Sequence, residues 1–467
     1  MSPHALPPRH YDLEQDFYTL TEAGIEPNGF LPDGAPLQLL PDPYYGLLEE
    51  LVKNLPSLLE DRSIRYRVHQ LPVLNVSGLK TPPEWRRAYV ILTFLAHGYI
   101  WGGDNAAEVS PDTVPDDITT RLLFLIYSLL NQALPPQITI PLLRVSARLD
   151  LPPVATYAST CLWNYSSSSD DLTRLDSLQA LHTFTGTEDE SWFYTVSVAM
   201  EAQGANIIPI MLRALKAVKR RDYGTITYAL EQLSVCIRKI HALLGRMYEK
   251  CSPMVFYYHI RPFLAGSKNM AAAGLPRGVL YDEGDGQGQW LQLRGGSNGQ
   301  SSLIQFLDIV LGVEHKTNGN SSPDKKAGGG EKEPTFHQEV RAYMPAEHRR
   351  FLEDVSRMGS IRDVTMLPGD APEQEKVREA FRAATEALTE FRNKHLEIVT
   401  RYIIIPSRRP PMDRSNLRVG LAGAPVGRPI EDKERGELTG TGGTALLPFL
   451  KQVRDETREA GCMRTPP

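Results

Sequence analysis

The sequence is poor in cysteine: it has four in 467 residues, and no two of them are spaced as CxxC or CxxxC. Zinc ribbons, iron–sulfur clusters and disulfide scaffolds need closely paired cysteines, so all three are disfavoured, and a reducing compartment is expected. The sequence also has no HExxH motif and no recognisable 2-His-1-carboxylate cluster. These absences argue against a zinc or non-haem iron enzyme.

Long apolar runs and an excess of positive charge are missing as well. The longest apolar stretch, near residues 88–96, is well short of the ~20 residues of a membrane-spanning helix. The N-terminus lacks the apolar segment of a secretory signal. The 51 basic residues are outnumbered by 56 acidic ones, for a net charge of −5, which argues against nucleic-acid binding. We therefore expect a cytoplasmic protein that binds neither membranes nor nucleic acids.

What the sequence does have is helical periodicity along most of its length. Thr81-Pro82-Pro83-Glu84 is a helix-capping motif, and an apolar helix follows it to Trp101. Only Val279–Asp282 and Gln289–Arg294 have the pattern of a short hairpin. The same counting predicts further helices over residues 43–60, 118–130, 138–165, 170–184, 189–217, 222–250, 253–265, 299–313, 345–358, 372–405 and 443–459. The pattern predicts an all-α fold.

Two polar segments and one change of composition divide the chain. Lys316–Pro334 is polar and glycine-rich, which predicts a disordered insertion. Pro406–Glu437 is rich in proline, glycine and charge, and is either a plain linker or a mobile loop that covers an active site. A change near residues 184–189 predicts a small N-terminal helical domain, 1–184, and a large C-terminal helical domain, 185–467.

One predicted helix carries a histidine in its apolar stripe. The stripe has a spacing of four and three residues and consists of Val377, Phe381, Ala384, Leu388, Phe391, Ile398 and Tyr402. His395 takes the remaining position. A neutral imidazole facing an apolar interior either hydrogen-bonds a neighbour or ligates a metal. One histidine is too few ligands for zinc but suffices for haem, because the porphyrin supplies four nitrogens.

Two charged residues accompany that histidine. Arg392, one turn before His395, is either a solvated helix arginine or a partner for a haem propionate. Asp308 is placed to hold Arg392 or the second imidazole nitrogen of His395. Elsewhere, Arg294–Ser302 is a glycine-rich loop without a phosphate-binding motif, and its glycines allow a close approach of the backbone to a planar cofactor.

Taken together, these segments resemble the indoleamine 2,3-dioxygenase family, the haem enzymes that open the indole ring of tryptophan. The resemblance runs from His10-Tyr11 to Arg454. It is carried by EWRRAYVILTFLAHGYIWG (84–102), LPPVATY (151–157), WFYTVSV (192–198), GGSNGQSSLIQFLDIVLG (295–312), YMPAEHRRFL (343–352), FRNKHLEIVTRYIIIP (391–406) and GTGGTALLPFLKQVR (440–454). Seven such segments occur in family order.

The resemblance implies a haem dioxygenase that cleaves the C2–C3 bond of L-tryptophan with O₂ to give N-formyl-kynurenine, the first step of the kynurenine pathway and of NAD biosynthesis. The implied cofactor is haem b, ferrous in the active form, enclosed by the larger C-terminal domain. The implied partners are L-tryptophan, O₂ and a reductant that keeps the iron ferrous. The implied oligomeric state is a monomer.

The resemblance also implies roles for individual residues. His395 is the proximal iron ligand, and Tyr157, Phe193 and Ser197 line the distal pocket. Ser197 is not essential, because neither it nor Tyr157 is a base at neutral pH. The implied substrate contacts are Phe256 against the indole and Arg261 on the carboxylate.

Further residues are implied to surround the haem edge and the substrate. Gly296, Ser297 and Asn298 pass over the haem edge, and Ile403 lies under its proximal side. Thr441 closes over the substrate. Three positions depart from the family, because Tyr194 replaces the usual phenylalanine, and Thr160 and Asn298 stand where mammalian members have cysteine and alanine.

Two other classes of function stay open from the sequence. The chain is alternatively a haem-binding oxygen sensor or carrier with little or no turnover of tryptophan, or a helical scaffold without a cofactor. A haem absorption band in the purified protein excludes the scaffold. Product formation under reducing conditions separates the enzyme from the sensor.

Overall fold

The computed structural model describes residues 25, 27–102, 132–316, 336–408 and 446–462. The predicted helix at 118–130 and Thr441 lie outside these residues. So do the predicted disordered insertion beyond Lys316 and the predicted mobile loop beyond residue 408.

Before residue 184 the described chain has mainly helices, with a few short strands. The helices are α1 (Gly46–Lys53), α2 (Leu55–Glu60), α3 (Ile64–His69), α4 (Pro82–Trp101) and α5 (Pro136–Leu149). The strands are β1 (Ala133–Leu134), β2 (Tyr165–Ser167) and β3 (Leu178–Ala180). Helix α4 confirms the capping motif, since the Glu84 amide donates to Thr81 Oγ1 at 3.4 Å and the Glu84 carboxylate accepts from the Lys80 amide at 2.8 Å.

Two predicted helices in this half are wrong in extent or type. The helix predicted over 138–165 ends at Leu149, because Asp150 adopts a left-handed conformation (φ 52°) and two prolines follow. The helix predicted over 170–184 is mostly a turn and strand β3. Asn164 fixes that conformation by pairing with the backbone of His182 in both directions, each at 2.9 Å. The serine- and aspartate-rich turn also hydrogen-bonds its own backbone, which competes with helix formation.

After residue 184 the chain is mainly helical. The helices are α6 (Glu188–Ala205), α7 (Ile207–Val218), α8 (Tyr223–Gly245), α9 (Met247–Lys250), α10 (Pro253–Val255), α11 (Arg261–Leu264), α12 (Ser302–Val310), α13 (Phe336–Arg341), α14 (Ala346–Arg357), α15 (Ile361–Thr365), α16 (Pro372–Val399), α17 (Ile405–Ser407) and α18 (Leu446–Gly461). The predicted hairpin is confirmed as β4 (Val279–Gly284) and β5 (Gln287–Leu291), paired antiparallel, with β1 parallel to β4. The all-α class is confirmed, since the strands are few and short.

Helix α16 is the central element of this half and packs along both α8 and α18. Its predicted stripe is confirmed, because all seven apolar side chains are buried. One hydrophobic core contains side chains from both sides of residue 184, and the predicted division into domains there stays a prediction. Across the described ranges, none of the helices has the length and apolar character needed to cross a bilayer.

Three single-turn π-helices interrupt the helical segments: Ala158–Leu162, Phe256–Ile260 and Thr400–Ile404. A π turn accommodates one extra residue and is found frequently at functional sites. All three contribute to the wall of one cavity.

Candidate functional site

A cavity of about 240 Å³ is bordered by helices α6, α16 and α18 and by the three π turns. The π turns contribute Thr160 and Cys161, then Phe256, and finally Tyr402 and Ile403. Most of the wall is apolar, and a few polar groups converge on it, as is usual for small-molecule and cofactor sites. This cavity is the candidate functional site.

His395 lies on α16 with its ring half-buried in the cavity wall. Within the described ranges, neither of its ring nitrogens has a hydrogen-bond partner. Burial, and then the charge of Arg392, lowers the pKa of His395 to about 4. The imidazole is therefore neutral at pH 7, with a lone pair available. Among the described residues His395 makes no hydrogen bond to a neighbour, and ligation of a metal stays the prediction for it.

Arg392 is buried rather than solvated. Its guanidinium donates from Nη2 to Asp308 Oδ1 at 2.5 Å and from Nη1 to the Val453 carbonyl at 2.8 Å and to the Thr457 hydroxyl. Asp308 thus holds Arg392 and not the imidazole of His395. Arg392 also lines the cavity, so an acidic group of a bound ligand could pair with it. The neutral imidazole of His395, the apolar walls and the cation of Arg392 fit the binding of a haem.

The fold also assembles a cluster that the sequence analysis predicted to be absent. Ligand atoms of Asp308, His315 and His337 lie within 4.8 Å of one another. The ring nitrogens of His315 contact Asp308 Oδ2 at 3.2 Å and Glu456 Oε2 at 2.7 Å. The two imidazoles are stacked, with centroids 3.7 Å apart and planes 10° apart. Because imidazole lone pairs lie in the ring plane, stacked rings do not converge on one ion.

The cluster is better explained by charge balance than by a metal. Burial lowers the pKa of His315, but its hydrogen bonds to Asp308 and Glu456 outweigh burial and raise the pKa above its ordinary value. Burial lowers the pKa of His337 to about 3. The two carboxylates therefore favour the charged form of His315, which is stacked on a neutral imidazole. Asp308 binds both Arg392 and His315, and His315 in turn contacts Glu456, which ties α18 to α12 beside the cavity.

Phe193 and Ser197 lie one turn apart on α6, and Tyr157 immediately precedes the first π turn; all three line the cavity as the sequence predicted. Ser197 is buried, and so is Cys161, whose thiol pKa burial raises to about 12. These groups are neutral at pH 7. This wall is therefore apolar with hydroxyl groups, which suits an uncharged aromatic ligand.

Of the three positions that depart from the family, two line the cavity and one does not. The Tyr194 hydroxyl donates to Glu190 Oε1 at 2.8 Å, and Tyr194 is not among the residues that line the cavity. Thr160 and Asn298 do line it. These two side chains are therefore the departures that change the cavity wall itself.

Phe256 joins the two sides of the cavity. Its ring centroid lies 4.9 Å from that of Phe193 on α6 and 5.7 Å from that of Tyr402 in the third π turn. Arg261 follows the second π turn and also lines the cavity. Its guanidinium lies over the Tyr257 ring, 5.6 Å from the centroid. Burial lowers the pKa of Arg261, although an arginine still carries its charge at neutral pH.

The glycine-rich loop has two kinds of glycine. A Cβ on Gly295 would lie 2.0 Å from the Leu264 carbonyl oxygen, so this glycine allows close approach to the backbone beside Arg261. Gly296 has more space around it, because a Cβ there would lie 3.6 Å from its nearest neighbour, the Ala155 carbonyl oxygen. Gly296, Ser297 and Asn298 line the cavity as predicted.

Ile403 lines the cavity from the third π turn and packs against a small cluster formed by Val399, Ile404 and Leu446. Leu446 begins helix α18, which therefore closes this side of the cavity. Thr441 precedes α18 and lies outside the described residues.

Among the ionisable groups of the wall that sequence reasoning missed, Glu201 is the carboxylate. Glu201 lies on α6, four residues after Ser197, is 2% exposed and lines the cavity. Its Oε1 accepts hydrogen bonds from the Tyr157 hydroxyl at 3.0 Å and from the Ser301 hydroxyl at 2.6 Å. The spacing of four, which places two side chains on one helical face, was the available signal. The sequence analysis weighed only Ser197 and Tyr157 as possible bases in this wall and did not consider Glu201.

Comparisons with known proteins agree with this geometry. The family model for indoleamine 2,3-dioxygenase matches residues 20–460. Indoleamine 2,3-dioxygenase nanC of Aspergillus nanangensis is 38% identical over 441 residues, which cover 93% of this chain and 94% of that protein. Indoleamine 2,3-dioxygenase of Saccharomyces cerevisiae is 37% identical over a match that covers 92% of this chain and 90% of that protein. The 6-hydroxytryptophan 2,3-dioxygenase fscD of Fusarium equiseti is 35% identical over a match that covers 92% of this chain and 95% of that protein.

The match extends over nearly the whole chain and includes every element that borders the cavity. The segments that carry His395, Ser197 and Arg261 all lie within the matched residues. The chain therefore belongs to the indoleamine 2,3-dioxygenase family, whose members are haem-dependent dioxygenases.

Proposed function

We propose that this dioxygenase cleaves the indole C2–C3 bond of L-tryptophan with O₂ to give N-formyl-kynurenine, the first step of the kynurenine pathway leading to NAD. The observation that carries the proposal is the composition of one cavity wall. It combines the neutral imidazole of His395, which has no hydrogen-bond partner among the described residues, with the aromatic rings of Phe193 and Phe256 and the cation of Arg261. A flat apolar amino acid needs an aromatic surface and a cation for its carboxylate.

The proposed cofactor is haem b, used in the ferrous state that a cellular reductant maintains. When bound, haem supplies the activation of O₂. His395 would hold its iron as the proximal ligand, and Arg392, held by Asp308, would pair with an acidic propionate. Ile403 packs on the proximal side. The residues of the distal cavity wall bind and orient the substrate.

Substrate orientation follows from the distal wall. Phe193 and Phe256 provide ring surfaces for the indole, and Tyr157 and Ser197 complete that wall with neutral hydroxyls. Arg261 pairs with the substrate carboxylate, an interaction that gains strength where water is excluded. Holding the reacting ring in one orientation is a large part of what such a site contributes to the rate.

Gly296, Ser297 and Asn298 line the cavity, and by the family resemblance they would lie beside the haem and Ser297 beside the substrate. Thr441, which lies outside the described residues, is proposed as a substrate contact by the same resemblance. The relative fscD is named for 6-hydroxytryptophan, and Thr160 adds a hydroxyl to the cavity wall of this chain. A ring-hydroxylated tryptophan is therefore the competing substrate to test. We further propose that the protein is a cytoplasmic monomer.

The test is an activity assay on the haem-reconstituted protein with O₂ and a reductant. Tryptophan and 6-hydroxytryptophan are supplied in parallel, and formation of the formyl-kynurenine chromophore is followed by absorbance. We expect turnover of tryptophan at the higher kcat/KM. Preference for the hydroxylated substrate would correct the substrate, and haem binding without product from either would favour an oxygen sensor or carrier.

The metal ligand is tested by His395→Ala. This variant should fold and lose haem, and added imidazole should restore a haem absorption band by replacing the missing ligand. His69→Ala is the matched control, since His69 contacts Tyr99 outside the cavity and should leave haem content unchanged. Full haem retention with an unaltered spectrum in His395→Ala would refute the proximal role.

A further inference from the structure

The carboxyl group of Glu201 joins three elements of the cavity wall. Glu201 itself is on α6. Tyr157, whose hydroxyl donates to it, immediately precedes the π turn Ala158–Leu162. Ser301, the second donor, is the N-cap of α12 and directly follows the loop that lines the cavity. One carboxylate oxygen therefore ties the first π turn and the glycine-rich loop to α6.

A second contact reinforces the same junction. The Tyr157 backbone amide donates to Gln300 Oε1 at 2.9 Å, and Gln300 Nε2 donates to the Gly295 carbonyl at 2.9 Å. Tyr157 is thus fixed at its backbone by the loop and at its hydroxyl by Glu201. The backbone contact is independent of ionisation, whereas the contact of the hydroxyl depends on the state of the carboxyl group.

The other oxygen of Glu201 is unusual. Oε2 is buried and has no hydrogen-bond partner among the described residues. A buried oxygen of this kind is costly, and it is the position at which the carboxyl group takes up a proton. In the ionised form both hydroxyl contacts to Oε1 are charge-assisted, and such bonds are stronger than neutral ones.

We propose that Glu201 is a positioning residue of the dioxygenase reaction. Its ionised carboxylate holds Tyr157 and Ser301 in the arrangement that binds the substrate, and protonation at Oε2 loosens that arrangement. Binding of substrate is therefore coupled to the ionisation of Glu201. The identity of the substrate rests on the proposed function, but the ionisation and its effect on the wall do not.

Burial, and not a neighbouring charge, places this ionisation near neutral pH. Burial raises the pKa of Glu201 to about 7, opposed by the hydrogen bonds from Ser301 and Tyr157. The titratable groups that face it are Tyr157 and Cys161. Burial raises the pKa of both, for the thiol to about 12, so both are neutral here. Arg261 lines the same cavity and stays charged throughout this range.

The direction of the effect follows from these states. Below about pH 7 the protonated group holds the two hydroxyls by weaker bonds, and its own O–H has no acceptor among the described residues. Above that pH the wall is held firmly. We expect the dissociation constant for tryptophan to fall by roughly tenfold as the pH rises through this range. By linkage, bound tryptophan lowers the pKa of Glu201.

The experiment compares the wild-type protein, Glu201→Gln and Glu190→Gln. Glutamine keeps the size and the acceptor oxygen of glutamate but cannot ionise. Glu190 is the matched control because it lies on the same helix, is fully buried and is absent from the cavity wall. Its carboxylate accepts from the amides of Phe184 and Thr185, at 2.8 and 2.7 Å.

Two measurements are made between about pH 5.5 and 8.5. The first is the tryptophan dissociation constant of the haem-loaded protein, from the shift of its absorption band. The second is infrared titration of the protonated carboxyl group, without substrate and with or without haem. The wild type and Glu190→Gln should show both transitions with midpoints near pH 7. Glu201→Gln should lose the infrared transition and bind tryptophan with one affinity across the range.

Several outcomes are decisive. Retention of the wild-type pH dependence of binding in Glu201→Gln refutes the coupling, and so does tighter binding at low pH in the wild type. Tyr157→Phe and Ser301→Ala each remove one donor and should reduce the pH dependence in part; no change in either variant also refutes the proposal. If tryptophan binds without being turned over, and the infrared transition of Glu201 responds to it, the proposed function fails while this inference stands.

Discussion

The ion pair between Arg392 and Asp308 permits a quantitative prediction. The two side chains are 7% and 5% exposed, and the nitrogen–oxygen distance is 2.5 Å. Asp308→Ala leaves the guanidinium buried without its carboxylate, and breaking a buried pair on one side costs ~3–5 kcal/mol. Arg392 retains its contacts to the Val453 carbonyl and the Thr457 hydroxyl. We therefore expect Asp308→Ala to lower the free energy of unfolding by about 3 kcal/mol, the lower end of that range. This is a large fraction of the ~5–15 kcal/mol by which folded proteins are stable.

The assay is urea unfolding of the haem-free protein, followed by the loss of helical circular dichroism. A chain of 467 residues need not unfold in one step, so midpoints are compared among variants and not converted to a single free energy. Arg392→Met should destabilise the protein by a similar amount, because it leaves Asp308 without its arginine. The double variant should be more stable than the sum of the two single effects predicts, since it removes both charges together. Strict additivity would refute the idea that the pair is a coupled buried unit.

Three further predictions concern binding, turnover and pH. Arg261→Ala should raise KM for tryptophan by roughly tenfold or more, from the loss of a charge-assisted contact worth ~1.5–3 kcal/mol, while carbon monoxide still binds the ferrous protein; an unchanged KM would remove Arg261 from the substrate site. Ser197→Ala should retain measurable turnover in the same absorbance assay, because the hydroxyl is neutral and not a base, so complete inactivation with haem still bound would contradict this role. The folded-state pKa of His315 is raised, so its contribution to stability is full below its unfolded pKa of about 6.5 and is lost as pH rises through the folded value. His315→Gln should therefore lower the urea midpoint most at about pH 6 and progressively less at higher pH; an equal loss at all pH values would show that His315 acts only by packing.

Most of the helical architecture was predictable from local pattern. Helix α4 begins at its capping motif and ends at Gly102, and α16 buries the predicted stripe, because caps and periodicity act through neighbours one turn apart. The failures occurred where side chains bond to distant backbone. Asn164 converted a predicted helix into a strand by pairing with His182, eighteen residues away. Nothing in the local sequence of that segment specifies this partner.

The candidate site was predicted in part. His395 was identified because it interrupts an apolar stripe, and the resemblance to a family supplied Ser197, Phe256 and Arg261. All four line one cavity. Glu201 was missed because a glutamate on a helix is ordinarily solvated, and only burial reveals it as an unusual one.

The sequence by itself determined most of the helices, the family and the histidine proposed to bind iron, since each depends on residue types at short spacings or on order along the chain. The tertiary structure alone decided ionisation. Burial and the approach of distant segments make His395 neutral, raise the pKa of His315 between Asp308 and Glu456, and bring the pKa of Glu201 to about 7. A pKa depends on solvent exclusion and on charges a few ångströms away, and those distances exist only after the chain has folded.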